Sequence, residues 1–431
     1  MRSLCFVFTL LACLGLPALA QSVSIDLPHC AQTTLAERPQ LSGEVIRVEH
    51  PRFIVHTTRN GRDAATPYYV EQLAEALNYA LDVHERLGWR LPPNDCGEGG
   101  DPRLDVYVKD LSDEQAIGYA VKENVVGDNP NTPQVEQYAA YSHLIVENDM
   151  EFTTPEQATA LIRATIAHEL HHNVQFGYDF SESYFGFYEA GAVWMETQIF
   201  PQYTDAHVYV PYVFNQPDLC LGSRADERGL RIYGEWLMID SFTRDLGLDG
   251  YERVWEVLAL GEGLWAFYDA LRQLGTTIES VVERMAIRNL LLDYELAHSF
   301  GGQVKVEVRA SVPGRTTSRD EGVQQLAVDY VALETGALLD IRLEGPPNLR
   351  MTFVGLDRGR GLAYSYDLGQ AAVLDTRLYD LGYILVRNTA RHLDTSGCAY
   401  TPWAIDISPG TGTPTAQPQE TWSASKFIPP P

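Results

Sequence analysis

Residues 154–178 read TPEQATALIRATIAHELHHNVQFGY, and they carry every mark of a single buried helix. Thr154 suits an N-cap, Pro155 the first helical position, and Gln157 the place where a capping box closes. Ala158, Leu161, Ile162, Ala167, Leu170 and Val174 then recur at helical spacing, and Gly177 is a natural stop. Inside lies His168-Glu169-Leu170-His171-His172, an HExxH pattern. Residues four apart on a helix face the same way, so His168 and His172 can aim imidazole nitrogens at one cation. Glu169 is rotated off that line and reaches a water beside the cation rather than the cation itself. A bare His/Glu cluster on a helix with apolar flanks would be costly to desolvate, so the pattern asks for a metal, and zinc suits two imidazoles with one position left open.

The third ligand separates the possibilities. A metzincin places Gly at 175 and His at 178; this chain has Gln175 and Tyr178, which excludes that class. Downstream, residues 187–196, FYEAGAVWME, read as a second helix with Glu189 and Glu196 two turns apart on one face. The segment YEAGAVWMET resembles the aminopeptidase-type stretch in which Glu, a small residue, Ala, an aromatic and a second Glu follow HExxH. At this point the chain is similar to the gluzincin clan, the thermolysin-like and aminopeptidase N-like zinc peptidases. The resemblance implies His168, His172 and Glu189 as zinc ligands and Glu169 as general base. Sixteen residues separate His172 from Glu189, a little fewer than in the best-known members. Glu196 is therefore the alternative third ligand; otherwise it supports a ligand histidine or is an ordinary helix residue. His171, next to a ligand, points elsewhere and is assigned to packing or a hydrogen bond. Tyr233, near Gly234 at the start of an apolar helical run to Phe242, is what the resemblance offers for the oxyanion. His207 is the alternative, because thermolysin-like members use a histidine there.

Ahead of the motif, Arg52–Thr57, Leu104–Val108 and Tyr138–Glu147 read as strands and Tyr68–Leu87 as an amphipathic helix. The clan implies that this is the upper, sheet-bearing half of a catalytic domain, with an edge strand that binds extended substrate by backbone hydrogen bonds. Gly118–Asn124, GYAVKEN, does not match the exopeptidase signature of aminopeptidase N-like enzymes, which favours an endopeptidase. Helices across Tyr251–Leu260, Leu264–Leu274 and Ile278–Leu292 would complete a mostly α lower half. From Gln303 to Ser408 short alternating segments separated by Gly, Pro, Asp and Asn favour an antiparallel β-sandwich. This region resembles the accessory β-domains of secreted bacterial peptidases. The fold class expected is thus an α+β zincin-like catalytic domain (46–300) followed by a β-sandwich (303–408). Residues 409–431, rich in Pro, Thr, Ser and Gln, read as a disordered tail.

Residues 1–20 read as a signal peptide, with Arg2, an apolar run from Leu4 to Leu16 and Ala18-Leu19-Ala20 before Gln21. Secretion or export to a periplasm is expected; a lipoprotein anchored at Cys13 is the less favoured alternative, and 21–45 is a lead-in segment too short for a folded inhibitory prodomain. The formal charge of −26 becomes −27 once Arg2 is removed, which argues against nucleic acid and anionic membranes as partners and leaves a protein or peptide substrate. No later run is long enough to span a bilayer, and oligomeric state is not legible. Of six cysteines, Cys30, Cys96, Cys220 and Cys398 follow the leader. An even number in an exported chain favours two disulfides. Three pairings are possible, of which Cys30–Cys96 with Cys220–Cys398 would tie the C-terminal region to the catalytic one. The function expected is a secreted zinc peptidase. The alternatives are a zinc hydrolase of another amide or ester, and a non-catalytic binding protein on a peptidase fold.

Overall fold

The computed structural model describes residues 37–223, 229–319, 321–392 and 398–429. It is an α+β protein whose described residues form two compact units: one holds those up to Ser183 with Gly191–Thr204 and Tyr251–Phe267, the other Tyr184–Ala190, those between Asp205 and Gly250, and those from Tyr268. The expected boundary at Gly301-Gly302 marks a change from helix to strand, while the compact units divide the chain elsewhere. Among the described residues no helix is long and apolar enough to cross a membrane. The leader and Cys30 lie outside the described residues.

The first unit is built on a five-stranded sheet in the order β1 (Ile46–Glu49), β2 (Phe53–Thr57), β3 (Leu104–Val108), β5 (Ala139–Val146), β4 (Gly118–Gly127). β2, β3 and β5 run parallel, whereas β1 and β4 are antiparallel to their neighbours and form the two edges. β2 and β5 are buried along their whole length, as strands covered on both faces must be. β4 was not expected as a strand, because Lys122-Glu123-Asn124 interrupts its apolar alternation. The register shows why it pairs all the same: Lys122 faces Ser142 and Asn124 faces Tyr141, so Glu123 is the extra residue of a β-bulge.

Two helices cover one face of this sheet. α1 (Pro67–Arg86) is capped by Thr66, whose side chain accepts from the Tyr69 N–H. α2 (Pro155–Phe176) has the full capping box, with Thr154 and Gln157 each bonding the other's backbone N–H. α2 packs on α1 and lies across β4 and β5, where Asn173 Nδ2 donates to the Ser142 carbonyl at 3.1 Å. Gly177 caps α2 in a right-handed conformation, so its role is close approach: a Cβ there would stand 2.8 Å from Pro92 Cα.

The next helix, α3 (Gly186–Ile199), carries Glu189 and Glu196. It is followed by α4 (Val210–Phe214), α5 (Arg231–Gly234), α6 (Trp236–Leu246), α7 (Gly250–Leu258), α8 (Gly263–Gln273) and α9 (Ile278–Leu291). The run expected from Arg231 to Phe242 is thus two helices meeting at Glu235.

In the second unit two antiparallel sheets enclose one apolar core. The smaller has the order β13 (Ala371–Asp375), β10 (Leu338–Glu344), β16 (Ala404–Pro409), β7 (Gly314–Thr317). The larger has β17 (Glu420–Ser423), β12 (Leu362–Gly369), β11 (Leu349–Asp357), β14 (Leu381–Asn388), β9 (Val328–Leu333), with β6 (Val308–Arg309) added in parallel. A short pair, β8 (Val323–Gln324) with β15 (Tyr400–Thr401), completes the set. Leu339, Ile341 and Ile405 from one sheet meet Met351, Phe353 and Ile384 from the other. Alternation turns Thr352 and Arg387 to the opposite face, where both reach Glu283 of α9, Arg387 at 3.0 Å.

Within the tail expected to be disordered, residues 420–423 form the strand β17. Glu420–Ser423 pairs with β12, Trp422 is buried and its Nε1 donates to Ser365 Oγ at 3.1 Å. Composition misled because the few residues that anchor the segment, Ala416 and Trp422 by burial and Glu420 by its pair with Arg284, are a small share of it. The Cys220–Cys398 disulfide is present, and Cys96 is also disulfide-bonded.

Candidate metal centre

α2 sets His168 and His172 one turn apart, with ring centroids 4.8 Å from each other and rings nearly perpendicular. Both are buried, as is Glu189 in the first turn of α3. His168, His172 and Glu189 each bring a ligand atom within 4.8 Å of the others. The Nδ1 of each histidine is already committed. That of His168 lies 2.8 Å from Glu196 Oε1, and that of His172 lies 2.9 Å from Gln175 Oε1. A carboxylate and an amide oxygen can only accept, so each imidazole carries its proton on Nδ1 and turns Nε2 to the ligand position. Thr204 Oγ1 donates to the other oxygen of Glu196 at 2.9 Å and holds it in place.

This geometry assigns different parts to the two acidic residues of α3. Glu189 joins the histidines, and Glu196, two turns further along the same face, orients His168. Gly191 lies between them because the helix comes close there: a Cβ would stand 2.2 Å from the Tyr251 hydroxyl and 2.7 Å from Gln175 Nε2. Gln175 itself was noted in the sequence only as a residue that rules out one class. Its partnership with His172, three residues before it on α2, was open to reading from the spacing.

Glu169 is buried on the same helix, and its Oε2 accepts from the Ala120 N–H of β4 at 3.0 Å. Ala120 was missed, since a backbone donor has no sequence signature. His171 turns away as expected: its Nδ1 lies 3.2 Å from His84 Nε2, whose Nδ1 bonds the Ala80 carbonyl at 2.9 Å. Burial pushes His84 down to about 4, so that imidazole is neutral and serves packing. Tyr233 is buried on α5 with its ring stacked on Tyr209 at 5.0 Å, and His207 lies in the turn just before Tyr209.

The donor set fits zinc. Two neutral imidazoles and one carboxylate in a buried setting suit a borderline-soft ion, whereas calcium and magnesium ask for oxygens throughout. A second group, Cys220, His392 and Cys398, also lies within 4.8 Å, but its two sulfurs are joined in the disulfide.

Fold and centre together define an α+β protein with a buried two-histidine, one-carboxylate group beside the edge strand of a mixed sheet. Residues 136–360, just over half of the 431, match the model of the Family of unknown function (DUF6055), and the chain belongs to that family. No curated protein and no solved structure matches.

Proposed function

We propose that the chain is an exported zinc-dependent peptidase of gluzincin type, an endopeptidase rather than an exopeptidase. The observation that carries this reading is the convergence of His168, His172 and Glu189 within 4.8 Å, with both Nδ1 atoms already tied off. Zinc held by such a set supplies a water acidified to near neutrality and polarises a carbonyl.

The rest falls to the chain's own residues. Glu169 takes a proton from the attacking water and delivers it to the leaving amine. The Ala120 N–H holds that carboxylate at Oε2. Glu196 and Gln175 keep the imidazoles in one tautomer and one orientation. β4 is a sheet edge, and an extended peptide can add to it by backbone hydrogen bonds. Tyr233, with His207 as the alternative, is the donor proposed for the oxyanion. Export is supported by the leader pattern and agrees with the Cys220–Cys398 disulfide.

The test is zinc content and casein hydrolysis, measured on the same samples of wild type, Glu169→Gln and Glu189→Gln. One zinc per chain with chelator-sensitive hydrolysis is expected for wild type. Glu169→Gln should keep zinc and lose about 10²–10⁴-fold in rate, and Glu189→Gln should lose zinc. Zinc without hydrolysis of any peptide would remove the peptidase assignment, and a protein that binds no zinc would remove the metal.

A further inference from the structure

On the face of the first sheet opposite α1 and α2 lies a buried group of charges that the proposed chemistry does not use. Ser142 faces α2, so its neighbours on β5, Tyr141 and His143, face the other way. There Glu123 of β4 meets His143 Nδ1, and Asp105 of β3 meets His56 Nε2 of β2 at 2.5 Å. Asp95, from the loop before β3, completes three carboxylates that are each at most 3 % exposed.

One guanidinium serves all three. Arg38 Nη2 reaches Asp95 at 2.7 Å and Glu123 at 2.9 Å, and Nη1 pairs with Asp105. Burial works against its charge, but Glu123 and Asp105 outweigh that and hold it firmly protonated. Arg38 belongs to the lead-in segment, which is fastened again where the Ser42 N–H donates to Asp63 Oδ2 at 2.6 Å and Ser42 Oγ accepts from the Asp63 N–H.

Glu123 is the bulge residue of β4. A bulge adds one residue, so two neighbours can share a face: Val121 opposite His143 and Asn124 opposite Tyr141 lie on this side of the sheet, and Glu123 joins them there to meet Arg38 and His143. Three residues earlier on the same strand is Ala120, whose N–H holds Glu169. The path from the lead-in segment to the general base is therefore Arg38, Glu123, the bulged strand, Ala120 and Glu169.

We propose that Arg38 is a positioning residue: clamped on Glu123, it sets edge strand β4 and so the carboxylate of Glu169, which makes the lead-in segment a working part of the site. The inference rests on the peptidase reading for its catalytic consequence, though not for its structural one. A purely structural role for Arg38 would make its three carboxylates equivalent. The clamp makes them different, because Glu123 is on β4 and Asp95 is not, although both accept from the same Nη2.

The experiment compares Glu123→Gln with Asp95→Asn in the full mature protein, reading hydrogen exchange over residues 118–127 together with zinc content and peptide hydrolysis. Glu123→Gln should speed exchange in β4 by about tenfold or more, keep zinc, and lower kcat by about tenfold or more with KM little changed. Asp95→Asn should leave both readouts near wild type. Equal effects of the two variants on β4 exchange, or none from Glu123→Gln, would overturn the clamp. Should Glu123→Gln not fold, Arg38→Lys keeps the charge but cannot span three carboxylates; it should loosen β4 in the same way, and wild-type exchange there would be fatal. If the wild type cleaves no peptide, the peptidase reading falls, while exchange still decides the clamp.

Discussion

Asp329→Asn is expected to stabilise the second unit at neutral pH, increasingly so as pH rises. Asp329 sits on β9 with 3 % of its surface exposed. It lines a cavity of about 290 Å³ with Asp218, Glu307, Glu321, Lys305 and Arg319. Burial pushes its carboxyl up to about 7, against an ordinary 3.8; the Trp403 indole N–H at 2.6 Å and Lys305 pull it down, while Asp218 and Glu307 push it further up. An acid whose folded pKa is raised holds its proton longer folded than unfolded. Its contribution is fully present below pH 3.8 and is lost as pH climbs through 7. At 1.36 kcal/mol per pH step the full loss is roughly 4 kcal/mol. The Asn variant carries no such loss and keeps an oxygen for the Trp403 indole. Its amide protons look into a pocket rich in carboxylates. Guanidinium unfolding followed by tryptophan fluorescence should place the variant about 1 kcal/mol above wild type at pH 4.5 and roughly 4 kcal/mol above it at pH 8. A difference that does not change with pH, or a variant less stable than wild type at pH 8, would refute the assignment of a buried, proton-retaining Asp329.

Two further outcomes bear on the centre. Glu196→Gln leaves the proposed ligands His168, His172 and Glu189 in place but weakens the acceptor for His168 Nδ1, so metal affinity should fall about 10–100-fold by chelator competition; an unchanged affinity would return Glu196 to the rank of an ordinary helix residue. Gly191→Ala must push back Tyr251 and Gln175, and should cost about 1–3 kcal/mol of thermal stability and loosen His172 through Gln175. Calorimetry with a zinc titration would show both, and a stable variant with wild-type affinity would contradict the close approach of α3.

Local signals carried the parts of this fold that were legible in the sequence. α2 combines a capping box, a proline at its first position and apolar spacing within a single stretch, and its observed bounds differ little from those expected. β3 matches residue for residue because Leu104–Val108 alternates cleanly. What stayed hidden is long-range or belongs to the backbone. β4 carries a bulge at Glu123, and that residue answers to Arg38, eighty-five positions away. The donor to Glu169 is a peptide N–H that any residue could supply. The resemblance alone puts Glu189 ahead of Glu196; that Glu189 groups with the two histidines while Glu196 meets His168 Nδ1 is visible only with the helix in place. The tail was misjudged on composition: Pro, Thr and Gln dominate it, yet Ala416 and Trp422 are buried and Glu420 pairs with Arg284.

That edge strand has a consequence for the order in which the protein can be completed. β16 inserts between β10 and β7, and β17 closes the outer edge of β12. Both follow in the chain every strand that they join. Until residues 404–423 emerge, the smaller sheet is split in two and the larger one presents the backbone of Leu362–Ser365, which β17 later covers, as an open template for other chains. The second unit is therefore finished only after residues 404–423 have been made. A chain that stops short of Glu420 is expected to self-associate through β12, however complete the rest of the molecule.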